Sequence, residues 1–224
     1  MGGAISLATT ATLFLVNQFV ENRKRLASKK EQLALDAYFG LTKILLAAEI
    51  IENFGRHIDA EFKRAQSEKR MHLETALNVR QLAFAASQIE GLMPSETIFL
   101  IKGKQGDPAS KCNLLIRRAR NHQANLLTYN ERHRDYKIFC ENNADKAVSS
   151  DSIGLILDLA GKDHLVARSK VGIMNFVIGS VIDQIETDRK EFPILIENFV
   201  KVAPEEFGDS FPSNGVEWSE NANP

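Results

Sequence analysis

The sequence predicts an all-α protein, an N-terminal transmembrane helix followed by a cytoplasmic antiparallel helical bundle. Three observations carry that prediction. Gly2 to Val20 is a run of nineteen residues without a charged side chain. From Glu21 to Val202 apolar residues recur at spacings of three and four, the period of a helix with one buried face. Glycine and proline gather at a few points between these stretches, and the one β-branched piece, Thr97 to Ile101, has no partner strand elsewhere. With 44% hydrophobic and 25% charged residues the chain has the composition of a packed protein, which excludes intrinsic disorder as its general state. The expected layout is a transmembrane anchor over 1–22, a single helical bundle domain over 23–207 and a flexible acidic tail over 208–224.

The uncharged run has close to the roughly 20 residues that a helix needs to cross a bilayer core. Ser6, Thr9, Thr10 and Thr12 weaken it only slightly, because a helical hydroxyl can bond back to the carbonyl one turn earlier. Three rival readings fit less well. A cleavable signal peptide carries positive charge before its apolar core, whereas here Asn22-Arg23-Lys24-Arg25 follows it. A soluble amphipathic helix would show charges on one face before Glu21. Met1-Gly2-Gly3-Ala4-Ile5-Ser6 fits the loose myristoylation pattern, which five residues match often by chance. Arg23, Lys24, Arg25, Lys29 and Lys30 fall within ten residues after the run and none precedes it. The positive-inside bias therefore predicts a single-pass protein of the cell membrane, N-terminus outside and body in the cytoplasm. Those five residues would contact membrane lipid at headgroup level.

Beyond the anchor, Glu21 to Gln66 contains no proline and only Gly40 and Gly55, and reads as one long helix. Its inward face is Leu33, Ala37, Leu41, Ile44, Ala48, Ile51, Phe54, Ile58 and Phe62. Tyr38, Phe39, Leu45, Leu46 and Ile50 widen that face beyond a two-stranded coiled-coil seam. A turn is expected over Ala65 to Arg70, then a second helix from Met71 to Glu90 with Leu73, Leu77, Ala83, Phe84 and Ala86 inward. Gly91 to Pro94 ends it. Thr97 to Ile101 is a helical turn or two. A third long helix over Ala109 to Cys140 has an unusually polar face, Leu115, Ala119, His122, Leu126, Tyr129, His133 and Tyr136. Ile153 to Ala160 reads as a short apolar helix. A fourth helix follows from Asp163 to Phe192, and its uncharged stretch Val171 to Ile182, too short for a second span, marks it as the most buried of the body. Gly172 and Gly179 on one of its faces predict close approach of a neighbouring helix. Pro193 opens a last short helix that Pro204 closes.

Residues that could carry chemistry are few. Glu49 with Glu52, and His57 with Glu61, have the spacing to share a metal, but the Glu-x-x-His pairs of di-iron bundles are missing. His122 and His133, eleven residues apart or roughly 16 Å along a helix, cannot hold one ion together. Gly103-Lys104-Gln105-Gly106 lacks the spacing of a phosphate loop. No catalytic, cofactor-binding or metal residue is assigned, and no cofactor is expected. Cys112 and Cys140 lie at opposite ends of the third helix, too far apart for a disulfide. Lys111, Arg117, Arg118, Arg120, Arg132, Arg134 and Lys137 could hold phosphates of a nucleic acid. The better account is complementarity with the far end of the chain, where Asp183 to Pro224 has ten acidic residues against Arg189, Lys190 and Lys201. The expected function is a membrane-anchored bundle that binds a protein partner or itself, as a tether, scaffold or sensor component. The alternative is an enzyme or metal-binding bundle with a site in its core.

Overall fold

The computed structural model describes residues 3–69, 71–84, 88–101, 108–146, 149–150, 157–158 and 161–212, with side chains from Gln18 onward except at 146, 149–150 and 157–158. Five helices hold nearly all of the described chain: α1 (Gly3–Ser67), α2 (Thr75–Asn78), α3 (Pro94–Ile101), α4 (Pro108–Asn142) and α5 (Gly161–Phe207). Two-residue strands β1 (Ser149–Ser150) and β2 (Leu157–Asp158) form one antiparallel pair between α4 and α5. The helical class read from periodicity is therefore the fold class observed. Leu157 and Asp158 are strand where a short helix is expected, and the rest of 151–160 lies outside the described residues.

Contacts divide the chain into two compact units. The first comprises Met1–Thr42, Leu92–Ala109 and Glu197–Pro224, the second Lys43–Gly91 and Ser110–Ile196. In the first unit, Phe99 of α3 packs edge-on against Phe199 and Phe207 of α5, with ring centroids 5.0 and 5.3 Å apart. α3 begins at Pro94, where the missing N–H is no loss, and the buried Glu96 carboxylate accepts the Met93 N–H at 2.7 Å. A Cβ built on Gly40 would lie 2.9 Å from the Glu96 Cβ and 3.0 Å from its backbone oxygen, so glycine is what lets α3 cross α1 there. Gly208, at φ 58°, ends α5, and the chain beyond it stays ordered far enough for Phe211 to pack against Tyr38. Of the tail expected over 208–224, residues 208–212 are described and 213–224 lie outside the described residues.

The second unit is built on Ile44, Ala48, Ile51, Phe54 and Ile58 of α1, the predicted face of α4, and Met174, Ile178, Val181 and Ile185 of α5. α4 and α5 run antiparallel, since Arg118 meets Asp188 and Glu191 while Asn125 lines a cleft with Ser180 and Gln184. α5 continues through Pro193 and Pro204 instead of breaking. An interior proline costs about 3 kcal/mol, and burial of Phe192, Leu195, Ile196 and Phe199 around it offsets that.

Two further expectations fail. Among the described residues of Met71 to Glu90 only Thr75–Asn78 are helical, and of those expected inward Leu73 is fully exposed and Ala83 exposed. The segment is a strap whose backbone groups bond to side chains of the bundle, described below. α5 is also not the most buried helix. Gly161–Ser210 is long and apolar enough to cross a membrane by length and composition, yet only 28% of its apolar window is buried. Its apolar residues surround the helix, so those facing α1 and α4 are covered while Leu165, Ile173 and Phe176 are not. Among the described residues no atom lies within 4 Å of a Cβ built on Gly172 or Gly179, so none of them makes the close helix approach expected there.

Candidate functional site

The most buried charge in the second unit is Asp188, fully enclosed on α5. A lone carboxylate in such a place would cost several kcal/mol, and three side chains remove that cost. His122 Nε2 is 2.8 Å from Oδ2, while Arg118 Nη1 and Gln184 Nε2 donate to Oδ1 at 2.8 and 3.3 Å. Arg118 also donates to Glu191 at 2.6 Å. Burial works against the Arg118 charge, but its hydrogen bonds to Glu191 and Asp188 outweigh that and hold the guanidinium protonated. Arg118, Asn121, His122, Asn125, Ser180 and Gln184 line a shallow cleft of about 200 Å³ beside this cluster. The Ser180 hydroxyl donates to the Val177 carbonyl, so it is not aligned as a nucleophile on His122. The arrangement pins α4 to α5 and presents polar groups at a surface.

A second set of polar side chains holds the strap, 71–91, along the bundle. Asn130 grips Leu82 at both backbone groups, accepting from its N–H at 2.9 Å and donating to its carbonyl at 2.8 Å. Tyr129 donates to the carbonyls of Ala76, at 2.8 Å, and Val79. Asn175 accepts the Ala76 N–H and donates to Glu74. Arg120 reaches the Ile89 carbonyl at 2.7 Å, and Lys43 the Gly91 carbonyl at 3.3 Å. Glu61 accepts the Arg80 N–H at 3.1 Å and its guanidinium at 3.0 Å. Burial alone would raise the Glu61 pKa, yet bonds from Arg80 and Arg64 prevail and hold it below the ordinary range. Burial raises that of the Tyr129 phenol. His133, one turn from Tyr129, is 5% exposed with Nδ1 unpartnered, and burial, helped by Lys137, lowers its pKa.

The residues singled out in the sequence are thereby placed. Glu52 and Asp59 bind Arg189 at 2.9 and 3.0 Å, Glu61 binds Arg80, and Glu49 and His57 face solvent, so neither suggested metal pair is assembled. Among the described residues no three His, Cys, Asp or Glu side chains converge. Every residue of the polar face of α4 is buried, His122 and His133 included. Of its cations, Arg118 meets Asp188 and Glu191, the complementarity expected with the acidic far end, and Arg120 holds the strap. Cys112 and Cys140 are free and buried. Lys104 and its neighbours lie outside the described residues. Asp188, Asn130 and Asn175 were not singled out, because a solitary Asp or Asn on a helix has no local pattern and its role depends on a partner dozens of residues away. Comparison with known protein families, with curated proteins and with solved structures gives no match for this chain.

Proposed function

We propose that this protein is a single-pass, membrane-tethered helical bundle that works by protein interaction, as a tether, scaffold or sensor component. The supporting observation is the stalk of α1. From Gln18 to Gln32 every residue is exposed, around the whole circumference of an unbroken helix. Fifteen residues of helix without a tertiary partner are marginal in water. They are stable when one end continues into a membrane span and the other into a packed body, and the tethered reading supplies both. Arg23, Lys24, Arg25, Lys29 and Lys30 are all exposed on this stalk, and the Arg23 guanidinium lies 5.2 Å from the Phe19 ring centre. A cation over an aromatic ring next to an uncharged run is suited to the headgroup layer. The full-length protein is expected to pellet with membranes and to resist carbonate extraction, and deletion of Met1 to Val20 to release it. Recovery of the full-length chain in the soluble fraction would overturn the proposal.

A further inference from the structure

We infer that the outward face of α5 is a self-association seam that pairs antiparallel with α5 of a second copy. The inference rests on the reading of the body as a protein-interaction domain and names its partner. Leu165, Ser169, Gly172, Phe176, Gly179 and Asp183 follow one another at spacings of four, three, four, three and four. They form one stripe on the side of α5 away from His122 of α4 and from Glu52 of α1. Phe176 is 79% exposed and Leu165 64%, with Ile173 beside them at 48%. A phenyl ring exposed to that degree between two glycines is a knob next to two holes, because no atom of the described residues lies within 4 Å over Gly172 or Gly179.

The stripe is complementary to itself in one direction. Placing Phe176 of one copy over Gly172 of the other sets Ser169 opposite Gly179 and Leu165 opposite Asp183, with each contact made twice as two-fold symmetry requires. The next layer out brings Lys162 opposite Glu186, and Arg168 lies diagonal to Asp183. These four side chains are exposed, and none of the ion pairs among the described residues uses them. The basic end of the stripe therefore meets the acidic end of its partner. A parallel pairing would instead stack Phe176 on Phe176 and like charge on like charge. The spacing is that of a heptad seam, and glycine at alternate layers allows the two backbones to approach closely. From Lys162 to Glu186 the seam runs roughly 36 Å at 1.5 Å per residue.

The test uses the full chain in mild detergent. Sedimentation is expected to give a dimer, and Phe176→Glu to raise the dissociation constant at least about tenfold, as loss of an aromatic anchor does. Its melting by circular dichroism should be unchanged, because the ring is not in the core. A mixture of Gly172→Cys and Phe176→Cys should crosslink between the two variants more than either does with itself. Self-crosslinking of each variant alone would indicate a parallel pair and overturn the proposal, as would a monomeric mass for the parent. Failure to label Phe176→Cys with a water-soluble maleimide in native vesicles, for a chain that is monomeric, would show lipid on this face and likewise overturn it. Mass and crosslinking do not depend on the anchor and carbonate extraction does not depend on the seam, so the two proposals fail separately.

Discussion

Gly40 and Gly55 are the positions where a methyl group has nowhere to go, for different reasons that predict different costs. At Gly40 the obstruction is the Glu96 Cβ and backbone oxygen, which cannot move without α3. Gly40→Ala is expected to destabilise the protein by about 1–3 kcal/mol through overpacking, despite the better helix propensity of alanine. At Gly55 the obstruction is the Arg189 guanidinium, the end of a flexible side chain. Gly55→Ala should cost less, and through the pairs that Arg189 makes with Glu52 and Asp59; urea unfolding of the two variants gives the order. Tyr129→Phe would leave the Ala76 and Val79 carbonyls without their donor and should cost about 1–3 kcal/mol in the same assay. His133 gives the pH dependence. Its folded pKa is lowered by burial, so the neutral ring contributes stability that is present above its unfolded value of about 6.5 and is lost as pH falls toward the folded value. His133→Leu should flatten the fall in melting temperature between pH 7 and pH 5, and an unchanged slope would show that another group carries it.

At the scale of elements, the long helices were legible because burial repeats at 3.6 residues, and every residue of the inward α4 pattern is buried. Where periodicity misled, a distant partner had replaced the local one. Met71 to Glu90 has apolar residues at helical spacing, but Asn130, Tyr129, Asn175 and Arg120 supply hydrogen bonds that a helix would have made internally. No local pattern reveals those donors and acceptors. Pro193 and Pro204 misled for a related reason, since core packing on both sides of each holds α5 together. The Asp188 cluster was half legible, through the inward histidine but not the carboxylate it meets. If side chains hold the strap, weakening one grip should free it without melting the bundle. Asn130→Ala is expected to speed proteolytic cleavage within 71–91 several-fold while helical circular dichroism is retained, and equal cleavage rates would show that apolar contacts alone hold it.

At the scale of the whole molecule, charge is distributed along the chain more than it is accumulated, with a net value of -1. Cations crowd the exposed stalk at 23–30, and carboxylates dominate from Asp183 onward. On the tethered reading this asymmetry decides which side of the membrane holds the body, because Lys and Arg close to a span resist translocation while acidic residues contribute little. Arg23, Lys24, Arg25, Lys29 and Lys30 make no ion pair among the described residues, so on that reading their removal perturbs orientation while breaking no ion pair, at the loss of the Arg23–Phe19 ring contact. A reporter fused after Pro224 should be active in the cytoplasm for the parent chain. Changing all five cations to glutamine, with three lysines inserted after Met1, should reverse the bias and carry a large fraction of the reporter to the outer side. Retention of the reporter in the cytoplasm at parental levels would mean that translocation of the folded body, not the basic stalk, sets the orientation.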